Sequence, residues 1–164
     1  GVNRGDVRQA FSRLIAEGLV VRGKRGGVFV REYTEQDLEE TQEVRQIIET
    51  AAARLAIERA EEADFSILEE TAQHMLLMAN NGYILGVSEG DLRFHSLLVE
   101  AAHNNKLTEL YTRANIPLSG INYIGKLKEQ RQEALIIDAQ DHIKIVKLLR
   151  EKKIEPLLKF LIKR

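Results

Sequence analysis

The 164-residue chain has no cysteine and no tryptophan, only two prolines, and 5% aromatic residues. Without cysteine there can be no disulfide, no thiolate metal site and no thiol nucleophile, a composition compatible with the cytoplasmic location expected here. No stretch is apolar enough for long enough to read as a membrane span, so no membrane partner is expected. Scarce proline and aromatics, in a chain rich in Leu, Ile, Ala and Glu, disfavour a β-sandwich or barrel and favour helices.

Net charge is also nearly absent, at −1, but the average hides a segregation. In residues 1–31, Arg4, Arg8, Arg13, Arg22, Lys24, Arg25 and Arg31 face only Asp6 and Glu17, leaving +5. Residues 32–70 carry thirteen acids against Arg45, Arg54 and Arg59, or −10, and residues 142–164 return to +6. Such blocks suit modules with different partners.

In the basic head, Val7, Ala10, Phe11, Leu14, Ile15 and Ala16 recur every three or four residues, which predicts one buried helical stripe. Asn3 can cap this helix, with Asp6 in the capping-box position, and Gly18 can end it. Two short β-prone runs follow, 19–21 and 28–30. The basic, glycine-rich link Arg22-Gly23-Lys24-Arg25-Gly26-Gly27 reads as a hairpin tip. A helix with an arginine-bearing polar face suits the DNA major groove, and a basic hairpin suits phosphates or the minor groove. The same pattern also fits a helix–hairpin unit whose arginines are merely solvated.

The run Asn3-Arg4-Gly5-Asp6-Val7-Arg8-Gln9-Ala10-Phe11-Ser12-Arg13-Leu14-Ile15-Ala16-Glu17-Gly18-Leu19-Val20 resembles the recognition helix and first wing strand of GntR-family transcription regulators. Their pattern is Ser-Arg-x-x-Val-Arg-Glu-Ala-Leu-x-x-Leu-x-x-x-Gly-Leu-Val, followed by Arg-Gly-x-x-Val. Asn3 stands for the family's Ser and Gln9 for its Glu. The resemblance implies DNA contacts from Arg4, Arg8, Gln9, Arg22, Lys24 and Arg25, with Gly26 and Gly27 at the wing tip. A winged helix has two further helices ahead of the recognition helix. Residues 1–32 are therefore expected to be the C-terminal part of an N-terminally truncated winged helix, binding DNA tightly only in the intact protein.

Beyond the head, helical periodicity predicts helices over 35–61, 64–80, 90–102, 104–116, 130–150 and 154–164. Asp64 is expected to cap the second, Asn80-Asn81-Gly82 to end it, and Pro117 with Ser119-Gly120 to interrupt the fourth. Pro156 falls in the first turn of the last helix, where proline is tolerated. Ala51-Ala52-Ala53 permits close helix contact at a bundle or dimer seam. The expected fold is thus mainly α: a truncated winged helix, then an all-α bundle of about six helices over 35–164.

Asp91 and His95 lie four apart, on one helix face, and so can be aimed at one metal, with His142 as a third ligand from a later helix. Imidazole and carboxylate without sulfur suit zinc or a harder ion such as nickel. Taken alone, an acid–histidine pair more commonly has a cap or core role. His74 and His103 have no such partner and read as surface or interhelical residues.

Glu43-Val44-Arg45-Gln46-Ile47-Ile48-Glu49 with Ala52-Ala53-Arg54-Leu55-Ala56 resembles the opening helix of the FadR-type C-terminal domain. Asp91-Leu92-Arg93-Phe94-His95, Ala101-Ala102-His103-Asn104-Asn105-Lys106-Leu107 and Asp141-His142-Ile143-Lys144-Ile145 resemble its later motifs. In metal-binding members an Asp and three His hold one divalent ion. Here Asp91, His95 and His142 match, whereas the position of the last His is Arg164. A guanidinium cannot ligate a cation. Either three ligands leave positions open for water or an effector carboxylate, or the site has lost its metal and Arg164 helps to hold an anionic effector. Arg45 matches an arginine that either pairs a carboxylate ligand or sits on the surface pairing Glu49.

The resemblance implies a homodimeric, metabolite-responsive DNA-binding regulator, most commonly a repressor, binding a small carboxylate and not an enzyme. Two alternatives use the same residues. One is a metal-dependent hydrolase acting through Asp91, His95 and His142; the other is a sensing and dimerisation module that does not bind DNA.

Overall fold

The computed structural model describes residues 3–32, 34–114 and 128–162. Among these, α1 spans Arg4–Ala16, β1 Val20–Arg22, β2 Val28–Val30, α2 Glu35–Arg59, α3 Glu62–Asn80, α4 Ile84–Glu100, α5 Asn105–Arg113, α6 Lys128–Arg150 and α7 Ile154–Ile162. The mainly α class, with one short hairpin and six helices after it, is the one expected. The predicted interruption at Pro117 and Ser119-Gly120 lies outside the described residues.

The chain divides into two compact units, Gly1–Glu40 and Thr41–Arg164. In the first, the Asn3 side chain accepts from Gly5 N and caps α1. Gly18 follows the helix at φ +74°, the left-handed conformation that favours glycine. β1 and β2 pair antiparallel with Val20 opposite Val30 and Arg22 opposite Val28, so Arg22 belongs to the strand and not to the link. Gly26 and Gly27, at φ +91° and +84°, make the turn.

The apolar stripe of α1 is left uncovered, as the resemblance to only part of a winged helix implies. No residue of this helix is buried, and Val7 and Phe11 are each 40% exposed. Two three-residue strands offer too little area to cover it. The break between units falls inside α2. Arg31 donates to Asp37 Oδ1 at 2.7 Å, and Thr34 and Asp37 bond reciprocally, so the first turn of α2 is fastened to the wing.

In the second unit α3 packs against α4 and α6, and α5 and α7 close against α4 and α6 respectively. The core gathers Leu68, Met75, Phe94, Leu98, Leu135, Ile145, Leu149 and Leu157, all essentially inaccessible. Ala52 and Ala53 are fully buried, so the alanine run is a seam within this bundle. The N-cap of α3 is Glu61, in a capping box with Asp64 at the third helical position, whereas Asp64 itself was the expected cap.

The largest departure from expectation is α4, which starts at Ile84, six residues before the predicted 90. Gly86 and Gly90 weaken its helix signal. Both glycines are there for packing: a Cβ on Gly86 would lie 2.6 Å from the Tyr83 ring, and one on Gly90 would overlap the Met75 side chain. The early start gives α4 the length to carry Asp91 and His95 into the bundle.

A buried carboxylate–histidine cluster

One face of α2 carries Arg45, Glu49, Ala52, Ala53 and Ala56, all buried. Their spacing of three and four residues places an ion pair on the alanine stripe that faces the bundle. Arg45 Nε donates to Glu49 Oε1 at 2.6 Å, and its Nη2 donates to Asp91 Oδ2 on α4 at 3.2 Å. Arg45 therefore pairs both Glu49 and Asp91, and it is buried. The two sequence alternatives are not exclusive.

From Asp91 the cluster continues to the histidines. Asp91 Oδ1 lies 3.5 Å from His95 Nε2 and 3.2 Å from His142 Nε2. The two Nε2 atoms are 3.2 Å apart. His142 Nδ1 sits 2.7 Å from the carbonyl of Asp138, which can only accept, so Nδ1 carries a proton; in the neutral ring Nε2 is then the lone-pair nitrogen. His95 Nδ1 lies 2.8 Å from Glu49 Oε1, off the line of a ring N–H hydrogen bond. Phe94 packs edge-on against both imidazoles, at ring separations of 5.6 and 4.7 Å, and gives the cluster an apolar wall.

These three inward atoms fit a cation. Bonds of about 2.0–2.2 Å in tetrahedral or octahedral arrangement separate neighbouring ligand atoms by about 3.0–3.5 Å. Asp91, His95 and His142 are the group among the described residues whose donor atoms lie together in this way. Two carboxylates, Glu49 and Asp91, share the one guanidinium of Arg45 here. Burial raises the Glu49 carboxyl, but the pull of His95 and Arg45 outweighs it and brings the group down to about 2. Asp91 is held well below the usual carboxylate range by Arg45 and His95 despite its own burial.

The chain matches the FCD domain over residues 40–157. It belongs to the FCD-domain family. The FadR-type resemblance of the helical part is thereby shown, and the FCD match ends before Arg164. The uncharacterised HTH-type transcriptional regulator YdhC of Bacillus subtilis is 26% identical over 156 residues, 93% of this chain and 67% of that protein. The galactonate operon transcriptional repressor of Escherichia coli is 28% identical over 127 residues, 66% of this chain and 55% of that one. The chain thus spans between about half and two thirds of these relatives. E. coli McbR/YncC superposes with a TM-score of 0.82 at 18% identity, covering 99% of this chain and 76% of that one, a likeness of fold.

Arg4, Arg8, Gln9, Arg22, Lys24, Arg25, Gly26 and Gly27 are all exposed on α1 and the hairpin. Arg164 lies outside the described residues. His103 is exposed and interhelical, as expected, but it does have an acid partner: its Nε2 is 2.8 Å from Asp64 Oδ2, brought there by the turn between α4 and α5.

Two residues of the cluster were not singled out as site residues from sequence. Glu49 entered only as a surface partner of Arg45, and Tyr111 on α5 not at all. The Tyr111 hydroxyl donates to Glu49 Oε1 at 3.3 Å, and burial followed by the Glu49 charge pushes the phenol above its usual range. The available signal for Glu49 was an acid at a position that the alanine spacing marks as inward.

Proposed function

We propose that this chain carries the sensing domain and winged-helix residues of a metabolite-responsive DNA-binding transcription regulator, with repression relieved by effector as the mode that the family resemblance implies. Residues 35–164 are the effector-binding and dimerisation domain and residues 1–32 belong to the winged helix. The protein works as a cytoplasmic homodimer. The observation that carries the reading is the convergence of Asp91 Oδ1, His95 Nε2 and His142 Nε2 inside an FCD domain.

On this reading Asp91, His95 and His142 hold a divalent cation, zinc or nickel, which when bound supplies an electrophilic anchor for an oxygen of a small carboxylate. Arg45 keeps Asp91 in place, and Arg164 is a candidate for the effector's far end. The site binds and does not turn over. Its nearest spare carboxylate, Glu49, is engaged by Arg45, His95 and Tyr111 and is not free to act as a base. A ligand that prefers one arrangement of the dimer shifts the separation of the two heads and hence operator affinity.

The test is a thermal-shift screen of the metal-stripped protein with zinc or nickel, then with small hydroxycarboxylates. Galactonate comes first, because one relative is named for the galactonate operon. A cation at a hundred times its dissociation constant adds about 2.7 kcal/mol, a rise of several degrees. The reading requires this rise, its loss in His95→Ala, and a further rise with a carboxylate only when the cation is present. No response to either metal sinks it.

A further inference from the structure

Glu49 is 4% exposed, and side chains from three helices converge on one of its oxygens. Two of them are hydrogen-bond donors, and the third, His95 Nδ1, is in close contact off the hydrogen-bond line. Arg45 Nε on α2 lies at 2.6 Å, His95 Nδ1 on α4 at 2.8 Å, and the Tyr111 hydroxyl on α5 at 3.3 Å. Its carboxylate is too far into this set to be an incidental surface pair. Tyr111 is the buried side chain of α5, so the contact also fastens that helix to the cluster.

A neutral imidazole has one proton for two nitrogens. Where a cation takes the lone pair of one nitrogen, the other carries the proton and turns it to a neighbouring acceptor. Negative charge at the far nitrogen also makes the near one a stronger donor of that pair. For His142 this task falls to the carbonyl of Asp138. For His95 the group beside Nδ1 is Glu49.

We propose that Glu49 is a positioning residue for the cation site: it keeps the His95 proton on Nδ1 and turns the Nε2 lone pair toward Asp91 and His142, while Arg45 and Tyr111 hold Glu49 itself. The inference rests on the cation reading above. It assigns the two histidines different supports, a backbone carbonyl for His142 and a charged side chain for His95. Only the second can be altered by substitution.

The experiment is competition for zinc between the protein and a chromophoric chelator, for the wild type, Glu49→Gln, Tyr111→Phe and the surface control Glu69→Gln. Glu49→Gln should weaken zinc binding by about tenfold to a hundredfold, the range for losing a ligand's supporting partner. Glu69→Gln should stay within about threefold. In ¹⁵N spectra of the zinc-loaded wild type, His95 carries its proton on Nδ1, and that proton signal moves upfield in Glu49→Gln as the charged acceptor is lost. A purely structural role for Glu49 would not move it. Should Glu49→Gln fail to fold, Tyr111→Phe, which keeps the ring and loses only the hydroxyl, should still weaken zinc measurably. Zinc binding by the folded variants equal to the wild type overturns the role of Glu49 and leaves the cation reading standing. A wild type that binds no zinc overturns both.

Discussion

Arg45 Nη2 meets Asp91 Oδ2 at 3.2 Å, while Oδ1 of the same carboxylate faces His142 Nε2 at 3.2 Å. One oxygen of Asp91 is thus spent on orientation and the other is left to the cluster. Burial by itself lowers the affinity of Arg45 for its proton, and Asp91 and Glu49 more than restore it, so the guanidinium stays charged.

Removing that charge strands two buried carboxylates. In chelator-treated protein, Arg45→Met should cost about 3–5 kcal/mol in urea unfolding, the usual range for breaking a buried pair from one side. Arg45→Lys should cost less but not nothing, because a single ammonium cannot present a fork to both Glu49 and Asp91. Equal stability of Arg45→Met and the wild type would contradict the paired geometry.

Much of this arrangement was legible beforehand, and the gaps have physical reasons. Asp91 and His95 stand at a spacing that any helix brings to one face, so their pairing needed no tertiary information. His142 could be offered as a third ligand from its residue type alone, and the resemblance strengthened it, since nothing local links α6 to α4. Glu49 was hidden because an Arg–Glu pair four apart is the commonest surface device on helices, and only burial of the alanine stripe turns it inward. Tyr111 carries no local signal. The start of α4 was missed because Gly86 and Gly90 read as helix breakers, when they answer to the side chains of α3.

That last point has a consequence for stability. Replacing a helix-interior glycine with alanine ordinarily gains about 0.5–1 kcal/mol. At Gly90 the new methyl would run into Met75, which is itself 1% exposed and has nowhere to go. Gly90→Ala should therefore destabilise by about 1–3 kcal/mol. In a Met75→Ala background the same substitution should become neutral or stabilising. A double-mutant cycle by thermal or urea unfolding measures the coupling.

The start of α2 titrates. The Thr34 hydroxyl and backbone N–H, and then Arg31, hold the Asp37 carboxyl below its ordinary 3.8. A carboxyl lowered by folding stabilises the structure above its unfolded value and loses that contribution as pH falls through the folded one. Fastening of α2 to the wing should accordingly be intact at neutral pH and weaken below about pH 4. Thr34→Val should raise the Asp37 value toward 3.8, read from carboxyl ¹³C shifts across an acid titration. An unchanged titration would mean that the cap is not formed in solution.

For the basic head the decisive quantity is salt dependence. Arg22, Lys24 and Arg25 are exposed around the hairpin turn, while Arg4 and Arg8 lie one helical turn apart on α1. If the hairpin neutralises phosphates, each charge removed from it lowers the slope of log affinity against log salt by about one, whatever the duplex sequence. If α1 reads the groove, Arg8→Ala should behave differently and narrow the gap between preferred and random duplexes, because its side chain would address base edges. Fluorescence anisotropy of the intact regulator at several salt concentrations separates the two effects. A wing triple variant with an unaltered slope would assign those residues to solvent, and the DNA role would then rest on α1 alone.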